Sequence, residues 1–203
     1  MESRCRGQKP PAAAFLYQRK FGGGLRLTVD LHGTETQSVV AYKAKKRASA
    51  IDLSRVGAYV PEDFRETISR PRAGRLVLQP GDFYLLGSRE RLGVPPDHAA
   101  EMEQYDPSLG EFSVHYAGFF DPGFGFGVGG EVKGTRAVLE VRAHEVPILL
   151  EHGQTVGRVN YHRMASVPEK LYGQTIGSSY QGQGLSLSKQ FKTGSVLSAV
   201  GRD

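Results

Sequence analysis

Two acidic residues stand where their type and setting allow proton chemistry. Asp121 lies in Phe119-Phe120-Asp121-Pro122-Gly123-Phe124, and Glu140 lies in Ala137-Val138-Leu139-Glu140-Val141. A positioned carboxylate can take a proton from water and hand it to a leaving group. Pro122-Gly123 reads as a tight turn that fixes the neighbouring aspartate. The phenylalanines around it offer aromatic surface that packs against a flat ring or fills a core. Glu140 alone reads as a solvated strand residue, and only its company makes it a candidate.

Other routes to chemistry close quickly. Cys5 is the only cysteine, so no intramolecular disulfide forms, and a zinc-dependent nucleobase deaminase, which needs a Pro-Cys-x-x-Cys pair, is excluded. His32, His98, His115, His144, His152 and His162 form no His-x-Glu or His-x-x-x-His ligand pair. Gly125-Phe126-Gly127-Val128-Gly129-Gly130 satisfies the dinucleotide fingerprint in letters. That fingerprint works between a strand and a helix, however, and here a Pro-Gly turn precedes it and a strand follows, so a glycine-rich hairpin loop is the better reading. Gly177-Ser178-Ser179 is no strand-to-helix elbow for a serine nucleophile.

The elements that must hold these residues are strands. Leu25, Leu27, Val29 and Leu31 alternate with Arg26, Thr28, Asp30 and His32, the period of a half-buried strand. Further strands are predicted over 38–44, 75–78, 83–88, 111–116, 136–143, 147–150 and 155–162, separated by Gly- and Pro-containing turns. In the strand carrying Glu140, residues Ala137, Leu139, Val141 and Ala143 share one face, leaving Val138, Glu140 and Arg142 on the other. Helix is expected only briefly, near Pro61 to Ile68 and from His98 to Glu103, where Asp97 is a possible cap. The fold class expected is therefore all-β, a barrel or sandwich with one or two short helices.

With 203 residues, 39% of them hydrophobic and 23% charged, one domain with flexible ends is expected. Residues 1–24 read as a flexible leader and 25–170 as the β domain. Residues 171–203 read as a Gly, Ser and Gln-rich tail with too little apolar surface to order itself. The net charge of +5 permits phosphate-bearing partners without selecting them. Lys43, Lys45, Lys46 and Arg47 lack interleaved aromatics, so they read as a solvated strand end and not as a nucleic-acid surface. The apolar run from Ala12 to Leu16 is too short for a signal core or a membrane span. A cytoplasmic protein with no membrane or nucleic-acid partner is expected.

Four stretches, in order, resemble the dCTP deaminases and more distantly the dUTPases: His115 to Phe124, Ala137 to Val141, Gly153-Gln154-Thr155-Val156-Gly157, and Tyr172 to Ser188. The likeness is to the C-terminal half of a long, two-repeat bacterial dCTP deaminase. It implies a distorted β-barrel or jelly roll that associates as a trimer, or as a pseudo-trimer with an N-terminal repeat. Carried onto this sequence, the resemblance gives Glu140 the activation of water and Asp121 the sugar. Ala117, Val138 and Leu139 would meet the base, and Tyr172 and Gln183 would contact the nucleotide. Magnesium would travel on the substrate triphosphate, with no zinc. A single carboxylate suffices for the reaction implied, the hydrolysis of dCTP to dUTP and ammonia, by deprotonating water and returning protons to ring N3 and the departing amine. Burial beside Val138 and Leu139 would disfavour its charged form.

The family's Arg-Ser-Ser stretch, which grips phosphate, has no counterpart in the acidic segment from Glu101 to Gly110. Phe119 stands where an arginine is expected and Ser179 where a lysine is common. These departures fit one half of a two-repeat enzyme whose phosphate grip lies in the other half. Two alternatives are a non-catalytic, trimer-forming or regulatory half-subunit and a dUTP diphosphatase, the latter a reaction that does not require a carboxylate at Glu140.

Overall fold

The computed structural model describes residues 24–34, 38–104, 112–115, 118–127, 130, 132–173 and 184–192. Among the described residues, eleven strands and one short helix follow in order: β1 (Leu25–Thr28), β2 (Val39–Ala44), α1 (Pro61–Phe64), β3 (Arg65–Ser69), β4 (Arg75–Leu78), β5 (Phe83–Leu92), β6 (His98–Gln104), β7 (Phe112–His115), β8 (Phe119–Phe120), β9 (Thr135–Ala143), β10 (Ile148–Glu151) and β11 (Thr155–Arg163). They form a five-stranded sheet β3-β2-β5-β9-β7, a four-stranded sheet β1-β11-β6-β8 and a two-stranded sheet β10-β4, every named pairing antiparallel. The expected all-β architecture is present.

Alternation in the sequence becomes the two sides of the sheets. Leu27, Val29 and Leu31 from the first strand region meet Leu86, Leu139, Val141, Val156 and Val159 in one core between the sheets, each of them fully buried. A second, smaller cluster lies on the opposite face of the five-stranded sheet, where Leu185 packs on Val39, Tyr42 and Leu85. That cluster is the floor on which the site is built.

Two expected helices come out differently. His98 to Glu103 forms β6, because its alternation puts Ala100 and Met102 in the core while Glu101 and Glu103 stay exposed. Pairing with β11 along its whole length outweighs the helix preference of Ala, Glu and Met. The helix at Pro61 stops at Phe64, where Arg65 turns extended and starts β3 against β2. The tail also departs from expectation. Residues 184–192 dock, with Leu185, Gln190 and Phe191 buried. Phe191 bridges to Tyr59 and packs edge-on against Tyr59 and Phe64, and the Gln190 side chain donates to the Leu53 carbonyl at 2.9 Å.

The basic run is tied down by acids at the end of its strand. Lys43 lies 3.0 Å from Glu66, and Lys46 lies 3.0 Å from Asp82. Among the described residues, no helix is long and apolar enough to cross a membrane, and no group of three His, Cys, Asp or Glu side chains is placed to hold a metal ion.

Candidate active site

β9 positions Glu140. Its buried face, Ala137, Leu139, Val141 and Ala143, locks into the main core, which drives Val138, Glu140 and Arg142 to the other side. Register sets Glu140 opposite Leu85 of β5 and His115 of β7. Asp121 is held by the turn that follows β8. The Phe124 amide donates to the Asp121 carbonyl at 3.0 Å, the Gly123 amide to the Val94 carbonyl at 2.9 Å, and the Tyr172 amide to the Pro122 carbonyl at 2.8 Å. Gly123 has φ +94, and a Cβ there would come within 3.1 Å of the Tyr172 carbonyl oxygen. Glycine therefore lets the segment at Tyr172 lie directly on the aspartate turn. The Tyr172 ring packs on Phe124, and Phe124 on Phe120, at centroid distances of 5.3 and 5.0 Å.

These elements enclose one cavity of about 550 Å³, a size suited to a small-molecule ligand. Asp121, Val138, Glu140 and Tyr172 all line it. Leu139 does not: its side chain is fully buried in the core behind the sheet. The period-two pattern already placed Leu139 opposite Val138, so its assignment to the base pocket is corrected as far as the side chain is concerned. Glu140 is exposed, and the burial expected beside Val138 and Leu139 is absent from this single chain. Ala117 and Gln183 lie outside the described residues, as do 1–23 of the expected leader and 105–110 of the acidic segment.

The cavity also holds residues that sequence reasoning missed. Arg65, Phe83, Arg136, Ser186 and Ser188 line it. Arg136 shares the β9 face with Val138 and Glu140, so the alternation carried its signal. Its guanidinium is paired with buried Asp30, 2.5 Å away. Burial acts to raise the Asp30 pKa, but the His32 and Gly33 amides and Arg136 outweigh it and hold the carboxyl below its ordinary value. Arg65 gave no signal in sequence, because only the pairing of β3 with β2 brings it to this face. Burial lowers the Arg65 pKa, and the negative charge of Glu140 works against that effect. The site therefore combines two carboxylates and two guanidinium groups with hydroxyls and aromatic walls, a setting for a flat ring carrying polar groups.

The family model for the C-terminal domain of 2'-deoxycytidine 5'-triphosphate deaminase matches residues 8–191. The chain belongs to this family. The dCTP deaminase of Natronomonas pharaonis is 33% identical over 131 residues, spanning 63% of this chain and 60% of that protein. The dUMP-forming dCTP deaminase of Beutenbergia cavernae is 36% identical over 110 residues, 53% of each chain. The crystal structure of 2'-deoxycytidine 5'-triphosphate deaminase from Agrobacterium tumefaciens superposes with a TM-score of 0.64 at 48% identity, over 70% of this chain and 42% of that one. The match thus spans little more than half the length of these curated relatives, and the all-β fold is that of the dCTP deaminases.

Proposed function

We propose that this protein hydrolyses dCTP to dUTP and ammonia, with Glu140 as the proton-transfer group. The observation that carries the reading is that Glu140, Asp121, Val138 and Tyr172, drawn from separate parts of the chain, open onto one cavity. The base lies over Val138 with its amino-bearing carbon towards Glu140, and the sugar lies towards Asp121. Glu140 takes a proton from water as it attacks C4 and passes it to N3, then takes the proton of the new C4 hydroxyl and passes it to the amine, which departs as ammonia as the C4 carbonyl forms. Magnesium arrives on the triphosphate as part of the substrate. The phosphate grip and closure of the site come from a further subunit or an N-terminal repeat in a trimeric arrangement, in keeping with the fraction of its relatives that this chain matches.

Product analysis tests this directly. The intact chain, alone and mixed with a separately made Arg-Ser-Ser-bearing domain, is given dCTP, and ammonia, dUTP and dUMP are measured. Glu140→Gln is expected to abolish ammonia release while nucleotide still binds. Unchanged turnover in that variant would sink the role of Glu140. Formation of dUMP as well as ammonia would place the chain with relatives named dUMP-forming. The same partial match favours one second reading, a non-catalytic half-subunit. Binding without turnover in every mixture would establish it.

A further inference from the structure

Arg65 is a cavity cation whose Nε has no acceptor among the described residues. Its guanidinium carbon lies 5.8 Å from the ring centre of Phe83 and 5.8 Å from that of Phe191. The side chain is half-buried, and its Nε is sealed from solvent with no hydrogen-bond partner among the described residues. Arg136, the other guanidinium in the cavity wall, is already paired with Asp30. Desolvating a guanidinium without an acceptor is unfavourable by itself. Two aromatic faces offset part of that cost and hold the planar group in one place.

The surroundings of Arg65 select among ligand groups. Arg65 lies over Phe83, which pairs with Arg142, two residues along β9 from Glu140 and on the same face, so the guanidinium sits on the Glu140 side of the cavity, where the charge of Glu140 acts on it. A phosphate bound there would face Glu140 at close range and be repelled. A neutral ring carbonyl accepts from the guanidinium without that penalty, and Phe83 supplies a surface for the ring. We propose that Arg65 contacts the bound base directly, donating to a ring carbonyl oxygen of a pyrimidine. This rests on the reading of the cavity as a nucleotide site. When water attacks the amino-bearing carbon, electrons of the C4–N3 double bond move onto N3 and the conjugated carbonyl oxygen. A cation at that oxygen stabilises the charge as it develops.

Calorimetric titration of the full chain with dCTP and with deoxycytidine separates base from phosphate. Arg65→Gln is expected to weaken both ligands in parallel, by about tenfold to a hundredfold, the range for losing a charge-assisted hydrogen bond. Arg65→Lys keeps the charge but not the planar fork, and is expected to lose less, again in parallel; it carries the test if Arg65→Gln melts early. Gln190→Ala removes the bond to the Leu53 carbonyl that anchors the C-terminal segment and leaves both aromatic faces on Arg65 in place, and should leave deoxycytidine binding within about threefold. Loss of dCTP binding alone would show a phosphate contact and overturn the assignment. Unchanged binding in the Arg65 variants, or an equal loss in Gln190→Ala, would overturn it too. Failure of the wild-type chain to bind either ligand would instead refute the nucleotide-site reading, and the contact with it.

Discussion

Asp30→Asn removes one charge from a pair that is almost wholly inside the protein. Asp30 is 5% exposed, and its carboxylate accepts from the His32 amide at 2.9 Å, the Gly33 amide at 3.0 Å, and Arg136. Asparagine that keeps its single oxygen on the two amides turns its NH2, a donor, towards the guanidinium. Breaking a buried pair costs about 3–5 kcal/mol, and retention of the amide contacts puts the expected loss near the lower end, about 3 kcal/mol. In a chain of this size, about 1 kcal/mol moves the melting temperature by roughly 2–4 °C, so a drop of about 6–12 °C is expected at pH 7. The pH dependence follows from the sign of the shift. The Asp30 pKa is lowered in the folded state, so its contribution is complete above the ordinary carboxylate value and is lost as pH falls below about 4. Scanning calorimetry of both proteins should show a gap that is constant from pH 5 to 7 and narrows below pH 4. A drop under 2 °C, or a gap that widens in acid, would refute the energetic role given to the pair.

Three further outcomes follow from named contacts. Gly125→Ala is expected to prevent stable folding or to lower the melting temperature by more than 10 °C, because the new Cβ runs into the Leu92 carbonyl at a residue with φ +62; soluble expression followed by a thermal melt checks it. His152 accepts the Leu31 amide through Nδ1, and burial, with His32 and Arg89, lowers its pKa against the pull of Asp30. Its contribution is present above the ordinary histidine value and lost as pH falls through the folded one. Melting between pH 7 and 5 should therefore fall less steeply in His152→Asn than in wild type. Leu185→Asp places a charge in the cluster with Val39, Tyr42 and Leu85 and should release residues 184–192, seen as faster tryptic cleavage after Lys189 while the main thermal transition moves by only a few degrees.

The strands that were legible in the sequence are those whose alternation matches a buried face. The run from Leu25 to Leu31 and the strand of Glu140 belong to this class, and the face assigned to Glu140 from period alone is the face it occupies. β6 was illegible because Ala, Glu and Met favour helix locally, and only pairing with β11 decides otherwise. The docked segment 184–192 was missed for a related reason. Two buried residues, Leu185 and Phe191, suffice when aromatic and apolar partners are already in place, and composition does not record such partners. In the site, Asp121, Val138, Glu140 and Tyr172 were found as candidates by motif and are brought to one cavity. Arg65 was not, since nothing near it in sequence foretells that β3 joins the sheet of β9, with β2 and β5 between them.

The pairing of Leu25 with Val159, and of Tyr59 with Phe191, has a consequence for the order of assembly. Contacts between segments so far apart pay loop-closure entropy first and form late. The cavity draws its walls from Arg65 at one extreme and Ser188 at the other, so a growing chain emerging from the ribosome has no cavity until the segment after β11 has been made. A nucleotide therefore cannot template the early steps of folding. On the proposed reading of the cavity, a nucleotide would act only on finished molecules, prolonging the life of those that have closed correctly.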